Sequence, residues 1–158
     1  MKPHLLVALL ALLVLSPALA ACADSGSAQD SAAGGHILAP EDAWARVTST
    51  PWQLVALDGV PPLAGTSVTL RIDGEARVTG KGGVNSYFGS VERSGAKGLA
   101  FSPLGATQMY GGDPPGIMEQ ETAYFRQLET VDAFRVRDDR LELLADGKPV
   151  LAFEAAPL

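Results

Sequence analysis

Apolar positions along the chain follow three rhythms, and each predicts a different kind of segment. From Leu5 to Leu15 they form an unbroken run ended by Ser16-Pro17. After Pro51 they alternate with polar residues in short bursts. Trp52–Leu57 stops at Asp58-Gly59, and Val68–Ile72 stops at Asp73-Gly74. Ala76–Thr79 reads as the returning arm of a hairpin, followed by Tyr87–Glu92 and by Leu99–Phe101 ahead of Pro103. Ala133–Arg137 and Arg140–Leu144 flank Asp138-Asp139, and Pro149–Glu154 follows Asp146-Gly147. Period-two runs bounded by such turn residues are strands. The intervals between them are too short for crossover helices, so neighbours should pair antiparallel.

The third rhythm occupies Gly116 to about Thr130, where Ile117, Glu121, Tyr124, Phe125 and Leu128 recur at helical spacing behind Asp113-Pro114-Pro115. Glu119 and Glu121 sit near the positive end of that helix dipole, and solvation and dipole complementarity account for them at this level. A weaker helical turn is expected between His36 and Thr50, around Pro40-Glu41-Asp42-Ala43-Trp44. The pattern therefore predicts an α+β domain. Its sheet is a strongly curved antiparallel meander of about seven or eight strands, partly closed like a barrel and covered by one helix, with Trp52, Leu70, Phe101, Phe125 and Phe153 in the core.

The apolar run near the start changes the picture most. Lys2 and His4 precede it, and Leu19-Ala20-Ala21-Cys22 follows it, the layout of a secretory signal closed by small residues. The run is too short and too broken by Pro17 for a membrane-spanning helix, which needs about 20 apolar residues. Because the residue after the small pair is the only cysteine in the chain, the stretch resembles a bacterial lipobox. The resemblance implies cleavage before Cys22, with a diacylglycerol on its thiol and an acyl chain on the new N-terminus. Two or more chains, each contributing about 0.8 kcal/mol per buried CH₂, hold a protein stably on a membrane.

This divides the chain into a signal peptide over 1–21, an acylated Cys22 with a tether through residue 50, and a domain over 51–156. Residues 23–35 contain only Ala, Asp, Ser, Gly and Gln, with nothing large enough to bury. Ala23, rather than Asp, follows the cysteine, which resembles the pattern sent on to the outer membrane of Gram-negative bacteria. The expected location is the cell envelope, on the outer membrane facing the periplasm.

Charge narrows the function. The chain carries 12 basic and 18 acidic residues, and one of the basic ones, Lys2, leaves with the leader. An acidic domain of this kind is not expected to bind nucleic acid, whose phosphates call for clustered Lys and Arg. With its sole thiol assigned to the anchor, the domain must be held by packing without a disulfide.

Catalytic chemistry is poorly provided for. His36 is the only histidine left after the leader, so no serine has an evident imidazole base, and His/Cys metal ligation is not expected. Glu119 and Glu121 are two apart and lie on different helix faces, and Asp138-Asp139 sit in a turn. The cluster Gly80-Lys81-Gly82-Gly83-Val84-Asn85 lacks the Gly-Lys-Ser/Thr ending of a phosphate loop and leads into a strand. Its glycines read as turn residues, with Asn85 capping backbone groups. The Gly- and Pro-rich connection Pro103–Gly116 is long enough to be functional. Asn85, Tyr87, Phe88, Met109 and Tyr110 form the candidate binding surface, although Met109 is expected to plug the core with Tyr110 on its rim.

The order of motifs carries a resemblance. Trp52-x-Leu54, Gly82-Gly83-Val84-Asn85-x-Tyr87-x-Gly89, Thr107-x-Met109, Glu121-x-x-Tyr124-Phe125-x-x-Leu128, Leu141-x-Leu143 and Leu151-x-Phe153 together resemble the META domain over about Pro51 to Ala155. Two departures stand out. That family commonly has cysteine at the position of Val84 and another near Gly111 or Gly112, which implies a bridge in relatives that packing replaces here.

The resemblance implies a non-enzymatic envelope lipoprotein, related to heat-shock-inducible proteins, with an interaction or stress-related maintenance role. Its partners would be the membrane, through the lipid, and another envelope protein, with no cofactor beyond the covalent lipid. The alternative is a module binding a lipid or other small hydrophobe in a cavity between sheet and helix. A filled core separates the first reading from the second.

Overall fold

A computed structural model describes residues 38–157. The expected cleavage and acylation at Cys22, and the tether as far as residue 37, lie outside the described residues. The elements run α1 (Pro40–Ser49), β1 (Trp52–Leu57), β2 (Thr69–Ile72), β3 (Arg77–Lys81), β4 (Ser86–Ser94), β5 (Gly98–Phe101), β6 (Gly105–Ala106), α2 (Ile117–Thr130), β7 (Ala133–Arg137), β8 (Arg140–Ala145) and β9 (Lys148–Ala155). The fold is the expected α+β domain with a curved antiparallel sheet. It has nine strands rather than seven or eight, and two helices rather than one.

All nine strands belong to one sheet of order β3-β2-β1-β9-β8-β7-β5-β4-β6, and β3 also pairs with β4. That last pairing joins the two ends of the order into a ring of eight strands, with β6 appended. Long β4 makes this possible. One of its edges carries β3 along Ser86–Ser90, and the other is divided between β6 at Tyr87–Phe88 and β5 at Val91–Ser94. The join between β5 and β7 is slight. Gly98 pairs with Ala133, flanked by bonds from the Leu99 amide to the Asp132 carbonyl and from the Phe134 amide to the Lys97 carbonyl. Helices cover both sides of this join, α1 packing on β7 and α2 on β5, which shields strand edges that would otherwise be open.

Alternation places Trp52, Leu54, Leu70, Ile72, Val78, Leu141, Leu143, Leu151 and Phe153 inside the ring. Trp52 and Phe153 are fully buried, as expected, whereas Phe101 and Phe125 are only partly buried against this core. The missed strand β6 is two residues long, below the reach of any periodicity.

The lead-in turn expected before Thr50 is a ten-residue helix. Pro40 opens it, Glu41 and Asp42 suit its positive end, and Ala43 and Val47, one turn apart, are buried. Ordered packing thus begins ahead of Pro51. The indole Nε1–H of Trp52 donates to the Val47 carbonyl at 3.0 Å, and Arg46 pairs with Asp139 in the β7–β8 turn. Both contacts lie where β1 starts and β8 starts. At the other end of the ring, where β1 and β3 finish, Gln127 of α2 donates to Asp58 and Glu121 faces the β3–β4 turn. The two helices therefore close opposite ends. Among the described residues, no helix is long and apolar enough to cross a membrane.

Candidate functional site

The β3–β4 turn is built from residues that allow α2 to come very close. Gly83 has φ +134°, a region that glycine occupies freely. At Gly82 a Cβ would stand 2.8 Å from both Glu121 Cγ and Phe125 Cζ, so any side chain there would push the helix off. Into this close approach α2 places Glu121, the only charged residue buried among the described ones, 4% exposed.

Glu121 is wholly occupied by the turn. Its Oε2 accepts from the amides of Val84 at 2.9 Å and Asn85 at 2.7 Å, and its Oε1 accepts from Asn85 Nδ2 at 2.6 Å. Donors of this number satisfy a buried carboxylate without a cation. The dipole-and-solvation account of Glu121 is therefore corrected: it is a structural acceptor in the interior. The pairing escapes sequence reading because its partners lie far away in the chain.

Asn85 extends the clasp to a third segment. Its Oδ1 accepts from the Met109 amide at 2.7 Å and the Thr107 hydroxyl at 2.8 Å, while Nδ2 also donates to the Met109 carbonyl at 3.1 Å. The side-chain amide thus holds Met109 by both its N–H and its C=O. Gln120, next to Glu121, performs the matching task on the other side. Its Oε1 accepts from the Leu63 amide at 2.6 Å and its Nε2 donates to the Thr66 hydroxyl at 3.1 Å. Two consecutive buried polar residues on α2 thereby hold the 58–67 loop, the β3–β4 turn and the 107–111 loop.

Of the expected binding surface, Asn85 and Tyr87 are not on the surface at all, being 4% and 2% exposed. Asn85 turns inward because its amide is needed by the clasp. Tyr87 turns inward because alternation along β4 puts it in the ring, where its ring meets Tyr124 and Phe125 edge-on at 5.8 and 5.5 Å. Its hydroxyl donates to the Thr69 carbonyl at 2.9 Å and so accepts from the Tyr124 hydroxyl at 2.7 Å. Burial pushes both phenols well above the usual tyrosine range. Phe88, Met109 and Tyr110 are exposed, at 62%, 63% and 87%. The core role expected for Met109 is thus overturned: its backbone is locked by Asn85 while its side chain stands outside. Sequence reasoning missed Val60 and Leu63, which are also exposed on the loop that Gln120 holds.

Side chains of α2 pack into the space between it and the sheet. Tyr124 and Leu128 are fully buried, and the Tyr124 ring meets Phe153 at 6.5 Å. A depression of about 350 Å³ lies on the outer face of α2 beside Met118 and Arg126, and another of about 150 Å³ lies outside the sheet beside Arg140 and Pro149. Neither opens into the interior. Among the described residues, no group of three or more His, Cys, Asp or Glu side chains is placed to hold a metal ion.

Val84 and Gly111 meet where relatives are expected to carry paired thiols. A Cβ built on Gly111 would lie 3.4 Å from Val84 Cβ and 2.4 Å from its Cγ2. Valine fills the space that a second side chain would need.

Comparison with known proteins agrees with this architecture. An NMR structure of a protein from Burkholderia xenovorans is similar, with a TM-score of 0.60 and 27% identity, over 79% of this chain and 93% of that one. A second NMR structure has a TM-score of 0.56 at 17% identity, over 75% of this chain and 95% of that one, a likeness of fold alone. No curated protein matches the sequence. The META domain family model matches residues 45–157, and the chain belongs to the META domain family.

Proposed function

We propose that the protein is a bacterial envelope lipoprotein, anchored through acylated Cys22, whose META domain is a non-enzymatic interaction module. The expected setting is the periplasmic face of the outer membrane, in a stress-related maintenance role. One observation carries the reading: Phe88 stands exposed on a strand paired on both edges, and Met109, next to exposed Tyr110, is exposed on backbone that Asn85 holds by both its N–H and its C=O. Large apolar side chains displayed on a rigid support favour association, because little ordering entropy remains to be lost on binding.

Two further observations support this over the alternatives. The interior offers aromatic packing where a carrier of small hydrophobes would need space. The sole buried carboxylate is spent on holding loops, so it is unsuited to move a proton for a substrate.

The test has two parts. Intact-mass measurement of protein extracted from membranes of a Gram-negative host should give a species beginning at Cys22 with added acyl mass, absent in Cys22→Ala. Photo-cross-linking from Tyr110 of the lipidated protein should give a discrete protein adduct. An unmodified chain released to the periplasm would overturn the anchor, and an absence of adducts would overturn the interaction role.

A further inference from the structure

The described residues include two methionines, Met109 and Met118, on the segment that leads into α2 and on its first turn. Their sulfurs are placed differently. Met109 is 63% exposed, with its side chain outside. Met118 is half-buried, and its Sδ accepts the N–H of Gly111 at 3.4 Å. A thioether sulfur has two lone pairs, and an oxidant that takes one or the other leaves opposite epimers of the sulfoxide, each repaired by its own reductase. At Met118 one of those two lone pairs is already engaged.

The Gly111 amide is fixed where it blocks that lone pair. Two residues before it, Asn85 holds the Met109 backbone at both N–H and C=O. On its other side a Cβ built on Gly111 would stand 2.4 Å from Val84 Cγ2, so the loop lies tight against the β3–β4 turn. An oxygen cannot slip in between. A hydrogen bond from the amide to that oxygen would take about 2.7 Å of the 3.4 Å span, which leaves less than any covalent bond to sulfur needs. The other lone pair stays open to a small oxidant, since Met118 lines the depression on the outer face of α2.

We infer that Met118 is a stereoselective oxidation site, converted by a hydroperoxide to one sulfoxide epimer, while Met109 is oxidised ahead of it and to both. The sulfur gives its free lone pair to one oxygen of the peroxide. The O–O bond breaks as the S–O bond forms, and the hydroxyl proton passes to the departing oxygen, which leaves as water. Sulfur loses two electrons and the peroxide gains them. The product keeps a single lone pair on sulfur, the one committed to Gly111, and the new oxygen draws electron density away from it. The bond from the loop to α2 therefore weakens. Oxidation is graded: at Met109 it makes an exposed apolar side chain polar and spares the fold, and at Met118 it loosens the loop. Neither the lipid anchor nor a docking partner enters this chemistry.

The experiment treats the native full-length chain with hydrogen peroxide and follows each methionine by peptide mapping. Epimers are counted on the digested peptides with the two epimer-specific sulfoxide reductases. Met109 should oxidise at least about fivefold faster than Met118, and one epimer should exceed the other at least about fivefold at Met118 but not at Met109. In urea the two rates should converge and the epimers at Met118 should become equal. The Gly111 amide should exchange with solvent more slowly than that of exposed Gly112 in the untreated protein, and faster once Met118 is oxidised. Met109→Leu, a change outside the core, should leave the epimer ratio at Met118 as it was. Equal epimers at Met118 in the folded protein would overturn the blocked lone pair. Selectivity without any change at the Gly111 amide would overturn that amide as its cause, and equal rates at the two methionines would overturn the order.

Discussion

The two ends of the ring are closed by different physics. At the α1 end, Ala43 and Val47 pack on the core, one indole N–H reaches a helix carbonyl, and Arg93 stacks over Trp44 at 4.5 Å. Charge there stays outside, as in the exposed pair of Arg46 and Asp139. At the α2 end Ile117, Tyr124 and Leu128 are buried too, but beside them lie three buried polar residues, Asn85, Gln120 and Glu121, each committed to hydrogen bonds. Apolar burial tolerates loss of surface partners; a buried polar network does not, because each orphaned group keeps its full desolvation cost. The end that holds this buried polar network also carries the exposed apolar side chains. Directional bonds can fix loops from within while their apolar side chains remain outside.

Substitutions at the two ends should therefore differ most. Glu121→Ala leaves the Val84 and Asn85 amides and Asn85 Nδ2 without their acceptor, and should cost about 3 kcal/mol or more, read as a fall in the urea midpoint. Asn85→Ala combined with it should cost clearly less than the sum of the two, since they share one network. Independent, additive losses would mean that the clasp is not cooperative.

A second substitution should strengthen the same end. Val84→Cys with Gly111→Cys puts two thiols at a Cβ separation of 3.4 Å, at the short edge of the usual disulfide range. Oxidised, the bridge should add about 3 kcal/mol by closing a loop of this length. Failure to oxidise, judged by free-thiol counting, would show that the two loops are not held together as described.

The tyrosine pair offers a finer distinction inside the ring. Tyr87→Phe orphans the Tyr124 hydroxyl and takes one donor from the Thr69 carbonyl and should cost about 2 kcal/mol, whereas Tyr124→Phe removes only a donor and should cost about 1 kcal/mol. Both phenols titrate higher in the folded state than in the unfolded chain. Their contribution is therefore complete below about pH 10 and is lost as pH rises through the folded values. Urea midpoints measured above pH 10 should fall less steeply in either variant than in the native protein. Smallest of all, Arg46→Ala at the α1 end should cost under about 1 kcal/mol and less still in high salt.

How much of this could be read beforehand depends on the distance over which each interaction acts. The strands Trp52–Leu57 and Ala133–Arg137 follow from alternation and turn residues alone, and their observed bounds match the expected ones. Helix α2 begins one residue after the expected glycine. β6 was out of reach because it forms only by pairing with β4. The sequence shows only a turn where α1 forms, because its stability comes from Ala43 and Val47 meeting a core that local sequence does not display. The buried role of Glu121 is hidden for the same reason, its partners being supplied by the β3–β4 hairpin. Phe88 and Met109 show the converse: an apolar residue names a preference, and the strand face or the backbone bonds decide whether it is met.

The place of β9 in the ring has a consequence for how the chain can be made. β9 lies between β1 and β8, pairing along Trp52–Leu57 on one side and Arg140–Ala145 on the other. It is also the last in chain order of the nine described strands. Until Lys148–Ala155 emerges, the first strand has no partner on that edge, and the ring is open. A chain delivered from its N-terminus, whether by a ribosome or through a membrane pore, cannot finish this domain in passing. The domain stays unclosed, and so remains threadable, until Lys148–Ala155 has followed.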